Sequence, residues 1–253
     1  MHRAQTQAWV PTLPKSVSLK NGPVVIERGI EKGAFDAFFS DIETSSYFGY
    51  KLELVDKDVC IYDMVDIPHE NATRTFDYLV TSEAISGNWI DNLRFGGSGK
   101  LVNPDPDDSD WQPDSSFFPD GRQGPKGSAD QTSPYPTMVL EVATSETDDH
   151  VKAKAAKYLG PRTTIQIVIV LLIRPKEHGA DCLKMLKYER GKMVNPCWEC
   201  SIGSPACAVA GDPSFKLLLP VKLLFDNAPI PLTLAGKAHV ELDLFLWKKK
   251  FLW

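Results

Sequence analysis

The sequence predicts an α/β (α+β) fold in which a mixed central sheet is flanked by helices. Three observations carry that expectation. Residues 163–173, "TTIQIVIVLLI", are apolar on successive positions. A strand there must be covered on both faces, as the central strands of parallel or mixed sheets are. A second apolar strand, at 137–143, precedes it, and residues 148–159 between the two have helical spacing. A strand–helix–strand core decorated by a hairpin packs as a sheet sandwiched by helices.

Residues 1–33 read as an irregular lead-in, punctuated by Pro and Gly, with one short strand in "PVVIERG". The rest, 34–253, reads as a single domain. "AFDAFFSDIETS" has the apolar spacing of a short helix. "YKLELVDKDVCIYDM", 50–64, places two β-rich runs around "DKD" and reads as a hairpin. Residues 69–90 follow as a helix starting near Asn71 or Thr73, with Ala72, Phe76, Leu79 and Val80 as its apolar stripe. Residues 96–136 are dense in Pro, Gly, Asp and Ser, and only "WQPDSSFFP" there suits a strand. Beyond 173, "CLKMLKYERGKMV" reads as a strand pair and "FKLLLPVKLLF" as a further β segment. "HVELDLFLW" reads as a strand alternating at Val240, Leu242, Leu244 and Leu246. No internal repeat is present.

Net charge is −5 over 253 residues, which excludes a polycationic nucleic-acid binder. The charge is uneven. Residues 1–150 hold 12 Lys+Arg against 25 Asp+Glu, and residues 151–253 hold 16 against 8. That asymmetry suits an acidic metal site beside a basic, anion-facing surface, or two sets of solvated charges. Five cysteines at irregular spacing do not form a disulfide framework. The start has no apolar signal region, and the longest apolar run falls far short of the ~20 residues of a membrane span. The expectation is a soluble, reduced protein of the cytoplasm or nucleus with no membrane partner.

On a strand at 137–143, Val139, Glu141 and Ala143 share one face. A mid-strand acid is costly to bury without a partner or a metal. Asp114, in the preceding candidate strand, is its natural partner. Two carboxylates on neighbouring strands can hold Mg2+ or Mn2+ through hard oxygen ligands. Such an ion polarises a phosphate and activates water, and a nearby lysine neutralises the developing charge. Ala143 supplies no lysine but leaves room for one. Of Lys152, Lys154 and Lys157 on the next helix, Lys152 and Lys154 lie roughly 200° apart and cannot both face the site. His150, Lys154 and Tyr158 form one i, i+4, i+8 row, and Lys154 is the expected residue. The competing readings are a solvent-facing or lysine-paired strand acid for Glu141, a turn or cap for Asp114, and a solvated helix residue for Lys154. Asp105, Asp107, Asp108 and Asp110 read as a solvated loop without the calcium-loop pattern. "CWEC" at 197–200 lacks the partners of a zinc site and reads as loop rather than as a redox motif.

These residues carry a resemblance. Pro113-Asp114, Glu141-Val142 with Ser145, Lys154 with Tyr158 and the apolar strand after them resemble the Uma-type restriction endonuclease-like family, within the PD-(D/E)XK nuclease superfamily. The hairpin at 50–64 resembles that family's hairpin, and Glu53 matches its acidic residue; His69 matches another frequent position. The likeness spans about residues 47–190. It departs in its long loop before Glu141, in Lys57-Asp58 where the family's turn has glycine, and in a sequence one residue short after Ser145. The resemblance implies a restriction-endonuclease-like sheet with an N-terminal hairpin and extra C-terminal β segments. It implies hydrolysis of phosphodiesters, in DNA foremost, with a lysine relocated to the helix. Asp114, Glu141 and Lys154 would be catalytic, and Asp114, Glu141 and in a minority reading Glu53 would bind Mg2+ or Mn2+. His69 and Tyr158 are secondary candidates, and pairing as a homodimer is a further implication. The alternative is an inactive binding or interaction module on the same scaffold.

Overall fold

A computed structural model describes residues 23–40, 50–64, 67–105, 110–128, 130–144, 146–174, 182–192, 195–202 and 207–251. The lead-in before residue 23, the end of the helix expected over 34–45, Ser145, Asp107 and Asp108 lie outside them.

Six strands form the central mixed sheet, in the order β4 (Leu93–Phe95), β5 (Ser115–Pro119), β6 (Met138–Ala143), β7 (Ile167–Arg174), β8 (Cys182–Glu189) and β9 (Trp198–Ser201). Only β6 and β7 pair in parallel, and the helix α3 (Asp148–Tyr158) makes the crossover between them. A parallel pair needs such a crossover, which explains why a helix separates the two most apolar strands. Six consecutive residues of each, Met138–Ala143 and 167–172, are buried, as double-sided cover demands.

One face of the sheet, with Met138, Leu140, Val142, Ile167, Ile169 and Leu171, packs under α2 (Ile67–Ser86) and the C-terminal segments. The other, with Val139, Ala143, Val168, Val170 and Leu172, packs under α3 together with Trp111 and Tyr135. Helices therefore flank the sheet on both sides, as the sequence predicts. A second sheet, β1 (Val24–Glu27), β3 (Asp58–Met64) and β2 (Tyr50–Val55), has its own small core of Phe35, Leu54 and Val59, next to α1 (Lys32–Ser40). Its β2–β3 turn pairs Val55 with Asp58, leaving Asp56 and Lys57 at φ +49° and +65°. Such two-residue turns favour glycine, because both central residues need positive φ. Here Lys57 is held instead, its carbonyl accepting from Ile30 N–H at 2.8 Å and its Nζ reaching Glu31 Oε1 at 2.8 Å.

Several elements differ from the sequence reading. Helix α2 begins at Ile67, with Pro68 in its first turn, where the missing proline N–H costs nothing. Strand β7 starts at Ile167 rather than at 163, because 163–165 turn their carbonyls to arginine side chains. β4 is a strand that its three-residue length conceals. Of the expected pair at 182–194, the described residues form one strand, β8; its partner β9 begins at Trp198, inside the "CWEC" run, so Cys200 is a strand residue and not a loop residue. β10 (Lys216–Pro220) pairs with β11 (His239–Asp243), and α4 (Val221–Leu224) follows β10 at once. The alternation expected through Leu246 stops at Asp243, whose Oδ1 accepts from Phe245 N–H at 2.9 Å. Helix α5 (Leu244–Phe251) follows, burying Leu244 and Trp247 at helical spacing while Leu246 is half exposed. Among the described residues no helix is long and apolar enough to cross a membrane.

Candidate active site

Glu141 points from β6 into the face covered by α3, yet it is only 3% exposed. What makes its burial tolerable is the inward row of α3. Lys154 Nζ donates to Glu141 Oε2 at 2.6 Å, and the Tyr158 hydroxyl donates to Oε1 at 2.6 Å. Lys154 is itself 6% exposed and Tyr158 fully buried. A charge pair this dry persists only when its lone pairs and protons are satisfied, and here both carboxylate oxygens are. Lys152 and Lys157, off that row, are exposed. Trp111 meets the Tyr158 ring edge-on at 5.0 Å and closes the far side.

The start of α3 fixes the row. Thr147 caps the helix, its side chain accepting from His150 N–H, and Asp148 and Asp149 oppose the positive end of the helix dipole. Asp148 is also paired with Arg174 at the end of β7.

Asp114 stands immediately before β5. Its N–H donates to Leu140 O at 3.0 Å, and its Oδ2 accepts from the N–H of Val142, the residue after Glu141, at 2.6 Å. The two acids are thereby anchored on neighbouring backbones. His69, buried in the first turns of α2, approaches Asp114 Oδ1 with its Nε2 at 3.2 Å. Eight residues along the same helix, Asp77 accepts from the Ser115 hydroxyl at 2.7 Å. Burial pushes the Asp77 carboxyl up to about 6, although the Ser115 hydroxyl opposes it. Its folded pKa exceeds the unfolded value of 3.8, so the native state binds the proton more tightly. Stability therefore falls as pH rises from about 4 to about 6. Asp77→Asn is expected to remove that slope, measured as Tm against pH, and to raise Tm at pH 7.

Glu53, on β2, is 8% exposed, and its carboxylate faces His150. His150 Nδ1 lies 2.7 Å from Glu146 Oε1, a close ion-pair contact. Its Nε2 lies 3.6 Å from Glu53 Oε2, an ion-pair distance longer than a hydrogen bond. Burial lowers the imidazole pKa, but the two carboxylates outweigh it and push it up to about 9. For Glu53, burial raises the carboxyl, while His150, Lys154 and Lys157 together hold it below the usual range. This network escaped the sequence reading. Its one local signal was the i, i+4 spacing of Glu146 and His150; Glu53 is about 100 residues away and gave none.

Among the described residues, no group of three or more His, Cys, Asp or Glu side chains could hold a metal ion. The donor chemistry at Asp114 and Glu141, oxygen only and two carboxylates, does not suit a fully liganded structural ion such as zinc. It fits a hard, water-rich cation, which commonly takes one or two protein carboxylates and completes its shell with water and phosphate. Cys197 is exposed, with its Sγ against Lys187 O, and Cys200 is buried on β9.

No family model matches the chain, and no curated protein does. Among solved structures, it is similar to a candidate nuclease belonging to DUF820 from Anabaena variabilis ATCC 29413. That likeness covers 87% of this chain and 99% of the other, at 16% identity and a TM-score of 0.47. At that level it assigns neither family nor activity.

Proposed function

We propose that this chain is a metal-dependent nuclease that hydrolyses phosphodiester bonds, in DNA foremost. The observation that carries the reading is the meeting of Glu141 with an ammonium from the following helix, beside a second anchored carboxylate. Asp114 and Glu141 would hold Mg2+ or Mn2+. When bound, such an ion supplies Lewis-acid polarisation of the phosphoryl oxygen and a lowered pKa for the attacking water. Lys154 steadies the negative charge that gathers on the phosphoryl oxygens in the transition state. Tyr158 fixes the Glu141 carboxylate from its other oxygen, so the acid keeps one orientation as substrate arrives. The basic half of the chain would contact the phosphate backbone, which predicts binding that weakens steeply with salt. Action within a cell, and pairing of two copies to cut both strands, belong to the same proposal.

The test is nicking of supercoiled plasmid with Mg2+ or Mn2+. Glu141→Ala and Asp114→Ala are each expected to lower the rate on the order of a hundredfold or more. Activity that survives Glu141→Ala rules out this site. One observation favours a second reading, a non-catalytic binding module: both Glu141 oxygens are already engaged by protein donors. Calorimetry separates the two, since the module takes up no Mn2+ at concentrations where it still retains nucleic acid.

A further inference from the structure

His150 occupies the turn of α3 before Lys154, on the same inward face. From there it reaches two acids on separate pieces of chain: Glu146, in the loop leaving β6, and Glu53, on the three-stranded sheet. That sheet has a core of its own, so charge contacts at its seam with α3 help set how the two lie together. At the seam lies a cavity of about 200 Å3 whose lining includes Glu53, Cys60, His150, Lys154 and Lys157. The groups facing the imidazole are thus two carboxylates, one from each side, with the ammoniums of Lys154 and Lys157 on its own helix. The two ring nitrogens therefore face one carboxylate each.

We infer that His150 is a positioning residue for Lys154: the Glu53–His150–Glu146 bridge fixes the rotation and depth of α3 so that Lys154 Nζ meets Glu141. The inference rests on the proposed nuclease reading for its kinetic consequence, though not for its geometry. One turn of helix separates His150 from Lys154, so a small roll of α3 carries the ammonium off the carboxylate. Misplacement of a reacting group by about 1 Å costs on the order of a hundredfold in rate. The three-stranded sheet then has a function in catalysis without touching substrate, because Glu53 is its contribution to the bridge.

The test uses the full chain with 15N-labelled lysine, in which the Lys154 ammonium resonance is assigned by its loss in Lys154→Met. His150→Gln and Glu53→Gln are each expected to shift and broaden that resonance. Each should also lower kcat for Mn2+-dependent plasmid nicking about ten- to a hundredfold, with KM within about twofold. His150→Arg, which keeps a two-sided cation, is expected to restore both. An unchanged resonance in folded His150→Gln overturns the inference, as does a His150→Arg variant no better than His150→Gln. Where His150→Gln fails to fold, Glu53→Gln is read by the same two measures. If the unmodified chain nicks no DNA, the nuclease reading fails alone, and the resonance still decides the inference.

Discussion

Lys154→Met is expected to abolish phosphodiester cleavage and to cost about 3–5 kcal/mol of stability, the usual effect of removing one partner of a buried ion pair. The carboxylate it abandons is 3% exposed and cannot recover its water. The Tyr158 hydroxyl still donates to Oε1, but one neutral donor does not offset a buried charge. The informative companion is the double variant Lys154→Met/Glu141→Gln. Glutamine keeps the shape and the tyrosine contact while removing the charge, so most of the lost stability should return. Activity should not return, because both the metal-binding oxygen and the cation are gone. Urea unfolding and plasmid nicking, run on both variants, separate the two roles. A Lys154→Met protein as stable as the parent would show that the pair is not dry in solution, and the site would have to be redrawn.

The second large effect lies away from the site. Arg122→Met is expected to cost about 3–5 kcal/mol. The side chain is completely buried. It donates to Tyr135 O just before β6, to Thr164 O before β7 at 2.7 Å, and to Asp226 through both its carbonyl and its carboxylate at 3.1 Å. Gln166 Nε2 joins at the same Asp226 oxygen, at 3.2 Å. A single guanidinium thus ties the entries of the two central strands to the chain after α4. Arg122→Lys should recover only part of the loss, because an ammonium is a point charge and cannot reproduce the planar fork. Equilibrium unfolding in urea measures both. A methionine variant within about 1 kcal/mol of the parent would assign the tie to packing instead.

The legible parts of the fold were those with a local cause. Runs apolar on successive residues marked β6 and β7, and helical spacing marked α3, because burial on both faces and on one face leave different periods in sequence. The placement of His150, Lys154 and Tyr158 on one helical face follows from 3.6 residues per turn, and that face meets Glu141. The illegible parts depend on distant partners. β9 takes Trp198–Cys200 from "CWEC", which carries no strand pattern; it is a strand because β8 lies beside it. In "HVELDLFLW" the strand and the helix share Leu242 and Leu244 as buried positions, so alternation ran past the true boundary until Asp243 ended it. Arg122 is an unremarkable charge in sequence, and Glu53 stands out only as the hairpin acid of the family resemblance, with nothing to tie it to His150. Their meaning arises from residues about 100 positions away.

The sheet face under α2 is completed by the last third of the chain: Leu217, Leu219, Val221, Leu224, Phe225, Val240, Leu242 and Trp247 lie in one cluster with Phe76, Leu140 and Ile169. A premature stop codon late in the gene would therefore behave as a null allele rather than as a trimmed but working version. Its product would bare an oily flank of the central strands and be cleared by proteolytic quality control or lost to inclusion bodies.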